Sequence, residues 1–175
     1  MKLQNQHIAF LAGPGFEDLE FWAVYMRLVE EGARVTVVGL KAGDVYPSKS
    51  GGLTATADVA AADVSPDQFD AIVIPGGWAP DKIRRYEAVT SLVKGMDDQG
   101  KIVGMICHAG LVGISARIVA GHRSTGSLGI KDDLVNAGAI WVDEPAFRDG
   151  NQVWGRVVED IPAFNRELVK ALVEG

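Results

Sequence analysis

The chain has 175 residues, of which 47% are hydrophobic, enough apolar material for the core of one globular domain. Its net charge of −6 argues against a broad basic face and so does not favour a nucleic-acid partner, although it leaves room for a local basic patch. There is no run of roughly 20 apolar residues and no signal-peptide pattern, and the single cysteine suits a reducing compartment. We therefore predict a cytoplasmic protein with no membrane partner and one domain over residues 1–175.

The amino-terminal part predicts a strand–helix–strand unit. A buried strand at His7–Ala12 ends in Gly13-Pro14-Gly15, and a second strand follows at Arg34–Gly39. Between them a helix runs from Glu17 to about Glu31, with apolar residues at helical spacing. This order requires a parallel pair of strands and a right-handed crossover. The turn after the first strand lacks the further glycine of a dinucleotide fingerprint, so we expect no cofactor of that kind.

The middle of the chain adds an excursion and another core strand. Short β-prone pieces at Val45–Pro47 and Leu53–Ala57 predict a small hairpin. Asp70–Pro75 is a core strand, and Gly76-Gly77 at its end allow a close approach of the backbone to a neighbouring group. A tight turn that needs positive φ explains these glycines equally well. Two predicted helices follow, over Trp78–Tyr86 and Ala88–Gln99.

The only cysteine lies at a strand-to-helix junction. Ile102–Ile106 is a short apolar run typical of a strand buried on both faces, and Ala109-Gly110 open a helical pattern. This geometry places the Cys107 side chain at the carboxyl edge of the sheet, with backbone N–H groups and a helix dipole directed toward it. We expect a partly exposed thiol with a lowered pKa, as a nucleophile requires. The alternative is that Cys107 is a small buried hydrophobic residue.

The carboxyl-terminal part continues the alternation of strands and helices. We predict a helix at Ile130–Ala137, a strand at Ile140–Val142, a hairpin over Phe147–Trp154 and a helix at Ala163–Val173. The whole pattern predicts a doubly wound, flavodoxin-like α/β fold, with a mostly parallel sheet between helices. In such folds the ligand site lies beyond the carboxyl ends of the strands. By this rule the acidic segment 17–20, Gly76-Gly77 and Cys107-His108 share one rim.

The rim residues suggest a chemistry. If burial keeps Glu20 protonated, its carboxyl can donate a hydrogen bond to a Cys107 thiolate. The N–H groups of Gly77 and His108 can form an oxyanion hole, and the His108 ring can carry protons or merely pack at the rim. The chain has three histidines, and none has acidic partners at ligand spacing, so we expect no metal and no other cofactor.

Four segments of the chain together form a recognisable motif set: Glu17–Glu20, Ala71–Asp81, Ile106–Gly110, and Gly129–Asp133 with Asn136–Gly138. In this order they resemble the ThiJ/PfpI superfamily, which includes PfpI-type intracellular peptidases, the Parkinson's-disease-associated deglycase and cofactor-independent glyoxalases. The histidine directly after the cysteine is most similar to the PfpI-type branch.

The resemblance implies a role for each matching residue. Cys107 is then the nucleophile, Glu20 the carboxylic acid beside it, and Gly77 and His108 the oxyanion donors, with Gly76 next to them. In the PfpI-type branch an acid on an adjacent subunit partners the histidine, and the matching residue here is Asp81. This implies self-association, as a homodimer or a larger ring.

Two departures from the family pattern show that the pocket is not a copy of the peptidase pocket. Ser127 stands where the hyperthermophilic peptidases have a tyrosine. Val157-Val158 replace a basic or histidine residue followed by proline.

Several functions share this site. In an enzyme, Cys107 adds to a carbonyl of a small aldehyde such as methylglyoxal, or of a glycated or peptide substrate. Glyoxalase, deglycase and amide-hydrolysis reactions all open with this step, and the sequence does not rank them. The alternative is a non-catalytic redox or stress sensor, or a chaperone-like protein, in which Glu20 holds an oxidised Cys107. A glutamine amidotransferase needs a later histidine–acid pair, and no histidine follows His122.

Overall fold

A seven-stranded sheet forms the centre of the structure, and the computed structural model describes every residue from Met1 to Gly175. The strands of the protein are β1 (His7–Leu11), β2 (Arg34–Gly39), β3 (Val45–Pro47), β4 (Thr54–Thr56), β5 (Val59–Ala60), β6 (Ala71–Ile74), β7 (Ile102–Ile106), β8 (Arg123–Ser124), β9 (Ile140–Trp141), β10 (Ala146–Asp149) and β11 (Gln152–Gly155). The strand order of the central sheet is β10-β11-β7-β6-β1-β2-β5, and only its β10–β11 pair is antiparallel. The predicted mostly parallel α/β sheet is therefore confirmed.

Helices cover both faces of the sheet, as a doubly wound fold requires. Along β1, Ile8 and Phe10 enter one core and Ala9 and Leu11 the other, because successive side chains point to opposite faces. None of the helices combines the length and apolar composition needed to cross a bilayer. The helices are α1 (Asp18–Glu30), α2 (Ala79–Ile83), α3 (Glu87–Asp98), α4 (Gly110–Ser115), α5 (Lys131–Asn136) and α6 (Ile161–Glu174).

The predicted hairpin excursion forms a separate two-stranded sheet of β3 and β4. Its turn is fastened to the loop between β1 and α1. The N–H of Gly15 donates to the carbonyl of Pro47 at 2.8 Å, and the N–H of Lys49 donates to the carbonyl of Phe16 at 2.7 Å. This brings the hairpin turn to the carboxyl edge of the sheet, where β1 ends.

Apart from shifts of one or two residues at the ends of elements, the helices and strands differ from the predictions in three ways. The predicted helix at 78–86 is shorter, since α2 ends at Ile83 and a new helix starts at Glu87. Strand β9 pairs with β8 outside the main sheet. The edge strand β5 was not predicted, because two residues are too few to show a period.

The packing of α6 against the sheet can be tested at Gly155. A Cβ at Gly155 would lie 2.9 Å from Phe164 Cδ2 and 3.2 Å from Ile106 Cγ1, and both side chains are buried. We expect Gly155→Ala to lower the free energy of unfolding by about 1–3 kcal/mol, measured by urea denaturation. The control Gly52→Ala, in the exposed hairpin turn, should change it by less than about 0.5 kcal/mol. Equal stabilities of the two variants would contradict tight packing at Gly155.

Candidate active site

Cys107 occupies the predicted strand-to-helix elbow. Strand β7 ends at Ile106, and a 3₁₀ turn at Cys107–Ala109 leads into α4. The φ of Cys107 is 61°, in the left-handed region that residues with a Cβ rarely adopt. Such a conformation costs on the order of 1–3 kcal/mol and persists only where the surrounding structure enforces it. The Cys107 side chain is half-buried, as predicted.

Glu20 is the acidic residue that the fold brings to the cysteine. Its side chain is fully buried on α1, and Oε2 accepts a hydrogen bond from the N–H of Gly76 at 2.8 Å. The carboxyl lies beside the Cys107 thiol, while Oε1 has no conventional hydrogen-bond partner. Glu17 differs, since it caps α1 by accepting from the N–H groups of Leu19 and Glu20. A contribution to the helix dipole therefore accounts for Glu17 but not for Glu20.

Both glycines after β6 permit a close approach, and one of them also makes a turn. A Cβ at Gly76 would lie 2.7 Å from the Cys107 Cβ and would collide with Glu20 Oε2. Gly77 has a φ of 80°, which a glycine adopts without strain, and a Cβ there would collide with the backbone of the loop before α1. Close approach therefore explains both residues, and the tight turn explains Gly77 in addition.

Two loops fix this arrangement by hydrogen bonds across the rim. The N–H of Glu17 donates to the carbonyl of Gly76 at 3.1 Å, and the N–H of Trp78 donates to the carbonyl of Gly15 at 2.8 Å. The backbone N–H groups of Gly77 and His108 lie near the Cys107 sulfur and act to lower the pKa of its thiol. An oxyanion hole needs two N–H donors close to the reacting atom.

The His108 ring lies against the sulfur. Its Nδ1 is 3.2 Å from Cys107 Sγ. Burial, and then the positive charge of Lys49, lower the pKa of His108, so the ring is neutral near pH 7 and can accept a proton. No carboxylate of the same chain bonds this ring. Asp81 lies exposed on α2 in an ion pair with Arg85, so the chain alone does not bring Asp81 to His108.

The thiol itself differs from the expectation. Burial, followed by the negative charge of Glu20, raises the pKa of Cys107 to about 12, although the N–H groups of Gly77 and His108 act in the opposite direction. The predicted lowering of this pKa is therefore wrong, because desolvation outweighs the elbow's donors. Burial, and then the charge of Glu17, raise the pKa of the Glu20 carboxyl to about 7. The two acids ionise as a pair that retains one proton above neutral pH.

A cavity of about 300 Å³ opens over the sulfur. The departures Ser127 and Val157-Val158 line it, as do two charged residues that sequence reasoning missed, Lys49 and Glu159. No local motif marks either one, since they come from the hairpin excursion and from the segment after β11. Its lining residues are Glu17, Glu20, Lys49, Gly77, Trp78, Cys107, His108, Ser127, Val157, Val158 and Glu159.

The other histidines lie elsewhere. His7 begins β1, at the opposite end from the rim, and its Nε2 is 2.8 Å from Thr36 Oγ1. His122 Nδ1 is 2.8 Å from the carboxylate of Asp149. Neither residue lines the cavity at Cys107.

Fold and site together define an α/β protein with a cysteine at a strand-to-helix elbow beside a buried carboxyl. The chain belongs to the DJ-1/PfpI family, which it matches over residues 6–171. The resemblance to the ThiJ/PfpI superfamily is thereby confirmed.

Individual relatives and a solved structure agree with this assignment to the DJ-1/PfpI family. The chain is 44% identical to a deglycase of Pyrococcus abyssi over 94% of this chain and 98% of the relative. It is 34% identical to protein/nucleic acid deglycase 2 of Escherichia coli, over 96% and 98% of the two chains. A crystal structure from Anabaena variabilis, which joins DJ-1/ThiJ/PfpI-like and ferritin-like domains, matches with a TM-score of 0.94 and 34% identity. That match covers 96% of this chain and 48% of the other.

The coupled pair of acids predicts an unusual pH dependence of thiol reactivity. Below about pH 7 Glu20 is protonated, and the thiolate fraction rises with pH. Above it, the carboxylate charge opposes ionisation of Cys107, so the rate of alkylation by iodoacetamide should level off. In Glu20→Gln no such charge develops, and the rate should continue to rise until the thiol is fully ionised.

The control for this experiment is Glu30→Gln, which removes an exposed carboxylate from the same helix. It should give the wild-type profile. Superimposable profiles for the wild type and Glu20→Gln would show that Glu20 and Cys107 do not titrate together.

Proposed function

We propose that this chain is a Cys107-dependent enzyme of the deglycase type, which acts on adducts of small dicarbonyl compounds. The observation that carries the proposal is the set of groups around the sulfur. His108 Nδ1 lies 3.2 Å away, the N–H groups of Gly77 and His108 are near, and the buried Glu20 carboxyl lies beside it. The names of the Pyrococcus abyssi and Escherichia coli relatives support the same class of substrate.

The first step makes use of the neutral histidine. Because the resting thiol is protonated, its proton must leave as the sulfur attacks. His108 Nδ1 accepts that proton while Cys107 Sγ forms a bond to the carbonyl carbon. The oxygen of the former carbonyl gains negative charge and accepts hydrogen bonds from the N–H groups of Gly77 and His108.

The later steps need a group that exchanges protons near neutral pH, and Glu20 has a suitable pKa of about 7. For a methylglyoxal adduct, the carbonyl that Cys107 attacks is the aldehyde, which forms again when the amine or thiol of the adduct leaves with the proton of the neighbouring hydroxyl group. The dicarbonyl fragment then stays on Cys107 as a hemithioacetal whose carbon carries one hydrogen. A proton then moves from the carbon bonded to sulfur to the neighbouring carbon. One carbon is oxidised as the other is reduced, and water hydrolyses the resulting thioester to lactate without an external oxidant.

Product analysis tests this proposal. The purified protein is given methylglyoxal adducts of N-acetylcysteine and N-acetyllysine, free methylglyoxal, and peptides. We expect lactate and the free amino acid derivative from the adducts, and a loss of at least about 10³-fold in Cys107→Ser. Circular dichroism should show that the variant remains folded. Turnover that survives in Cys107→Ser would contradict the mechanism, and cleavage of peptides alone would favour amide hydrolysis.

A stress or redox sensor is the second candidate, because Glu20 Oε1 is buried beside the sulfur without a conventional partner. When protonated, this oxygen can donate to an oxygen of an oxidised Cys107. Two molecules of hydrogen peroxide convert the thiol into a sulfinic acid and leave two molecules of water. Mass spectrometry would detect two added oxygen atoms. Stable oxidation without any turnover of adducts would favour this candidate.

We also propose that a second subunit completes the site. His108 has no carboxylate partner within its own chain, and Asp81 lies exposed near the rim. Trp78, beside the cavity, leaves 56% of its surface exposed, and aromatic residues are enriched at protein interfaces. In an assembly, Asp81 of one subunit would orient His108 of the next, as a third group orients the base in a triad.

Mixed assemblies test the role of Asp81. Asp81→Ala and Cys107→Ala should each be inactive, and sedimentation should show a dimer or larger ring. Random mixing of their subunits should restore about a quarter of the wild-type sites, whether the assembly is a dimer or a ring. His108→Ala mixed with Cys107→Ala is the matched control and should restore none, because both residues belong to one subunit. A fully active monomer would exclude a role for Asp81.

A further inference from the structure

We propose that Lys49 selects substrates that carry a single carboxylate close to the carbonyl group, such as adducts of free amino acids. This inference deepens the proposed function, since it names a class of substrate for the same site. It rests on how the hairpin excursion places one cation in the cavity over Cys107.

Backbone and side-chain contacts on both sides fix the position of Lys49. Its own N–H donates to the carbonyl of Phe16, and the preceding residue, Ser48, forms a bridge with Phe16. The following residue, Ser50, donates to the carboxylate of Asp18 through its N–H, at 3.1 Å, and through its hydroxyl. The backbone at Lys49 is therefore held against the amino end of α1, and only the exposed side chain can move.

The charge of Lys49 is unpaired, although the cavity is rich in acids. It is the only lysine or arginine among the lining residues, beside Glu17, Glu20 and Glu159. None of the ion pairs in the structure includes it. Glu17 caps α1 through its Oε2 and forms no ion pair with Lys49. The ammonium group instead lies over the Trp78 ring, 5.7 Å from its centroid.

The electrostatic reach of Lys49 extends to the reacting groups. Its charge contributes to the lowered pKa of His108 and partly offsets the effect of burial on Glu20. An anionic group bound by Lys49 would thus lie in the same cavity as Cys107 and within electrostatic reach of His108. A charged donor without a partner gains a strong hydrogen bond from such a group.

The charges, the size and the apolar wall of the cavity determine which anion can bind next to Lys49. Three glutamates line the cavity, so a phosphate dianion would meet more repulsion than a carboxylate with one charge. A volume of about 300 Å³ admits an adduct the size of an amino acid derivative. The Trp78 ring supplies an apolar wall for the rest of such a substrate. A monocarboxylate adduct satisfies all three conditions.

Alkylation of Cys107 measures this selectivity directly, because it is the only thiol and two reagents of nearly equal shape differ in charge. Iodoacetate carries a carboxylate, whereas iodoacetamide is neutral. We expect the rate ratio of iodoacetate to iodoacetamide to fall about tenfold in Lys49→Met. Any change in thiol ionisation affects both reagents equally and cancels in the ratio.

Two further variants serve as controls. Lys49→Arg should keep the wild-type ratio, and so should Lys41→Met, which removes an exposed lysine that does not line the cavity. Added salt should lower the ratio in the wild type more than in Lys49→Met. A ratio that is the same in the wild type and Lys49→Met would overturn the inference.

The substrate itself is tested with methylglyoxal adducts of N-acetylcysteine and of its carboxamide. Wild-type kcat/KM should favour the carboxylate about tenfold, and Lys49→Met should remove this preference. If both proteins turn over the two adducts and show the same ratio of kcat/KM between them, the inference is refuted and the proposed function stays intact. Selective alkylation without turnover of either adduct would refute the proposed function and leave the carboxylate site intact.

Discussion

The hydrogen bond from the Gly76 N–H to the buried Glu20 carboxyl is the interaction on which the rest of the site depends. It joins α1 to the end of β6, and the missing side chain at Gly76 lets the Cys107 elbow approach both. Burial of an ionisable group is costly unless it is neutral or well paired. Burial at Glu20 has this cost, and it raises the pKa of the carboxyl to about 7. A proton that titrates near neutrality therefore lies next to the only thiol.

This interaction also explains why the elbow alone does not activate the thiol. Two N–H donors favour the thiolate, but desolvation and a neighbouring carboxylate oppose it more strongly. The neutral His108 ring, in contact with the sulfur, then becomes essential to the proposed reaction. In the proposed reaction the proton therefore moves during attack, because the resting site holds a protonated thiol.

Much of the fold and of the candidate site was predictable, because a parallel α/β architecture produces recognisable patterns in a sequence. Buried strands such as Ile102–Ile106 show as apolar runs, and the sheet rule then gathers Glu20, Gly76-Gly77 and Cys107 at one edge. The true boundaries of α2, the strand β5 and the pairing of β9 were not predictable, since short elements depend on tertiary contacts. Pattern alone also missed the net effect of burial on the thiol, which depends on its three-dimensional surroundings.

Lys49 illustrates a second limit of prediction from sequence, since no spacing of residues links the hairpin turn to the cysteine. The fold joins the two through contacts that the hairpin turn makes with Phe16, in the loop before α1, and with Asp18, at the start of α1. Glu20, Gly76 and Cys107 stand on the sheet and its helices, whereas Lys49 stands on the exposed turn of the hairpin. With the proposed role of Lys49, a substitution at this turn would change the choice of ligand while those three residues keep their geometry. Ligand choice and chemistry would then be able to change separately in this protein.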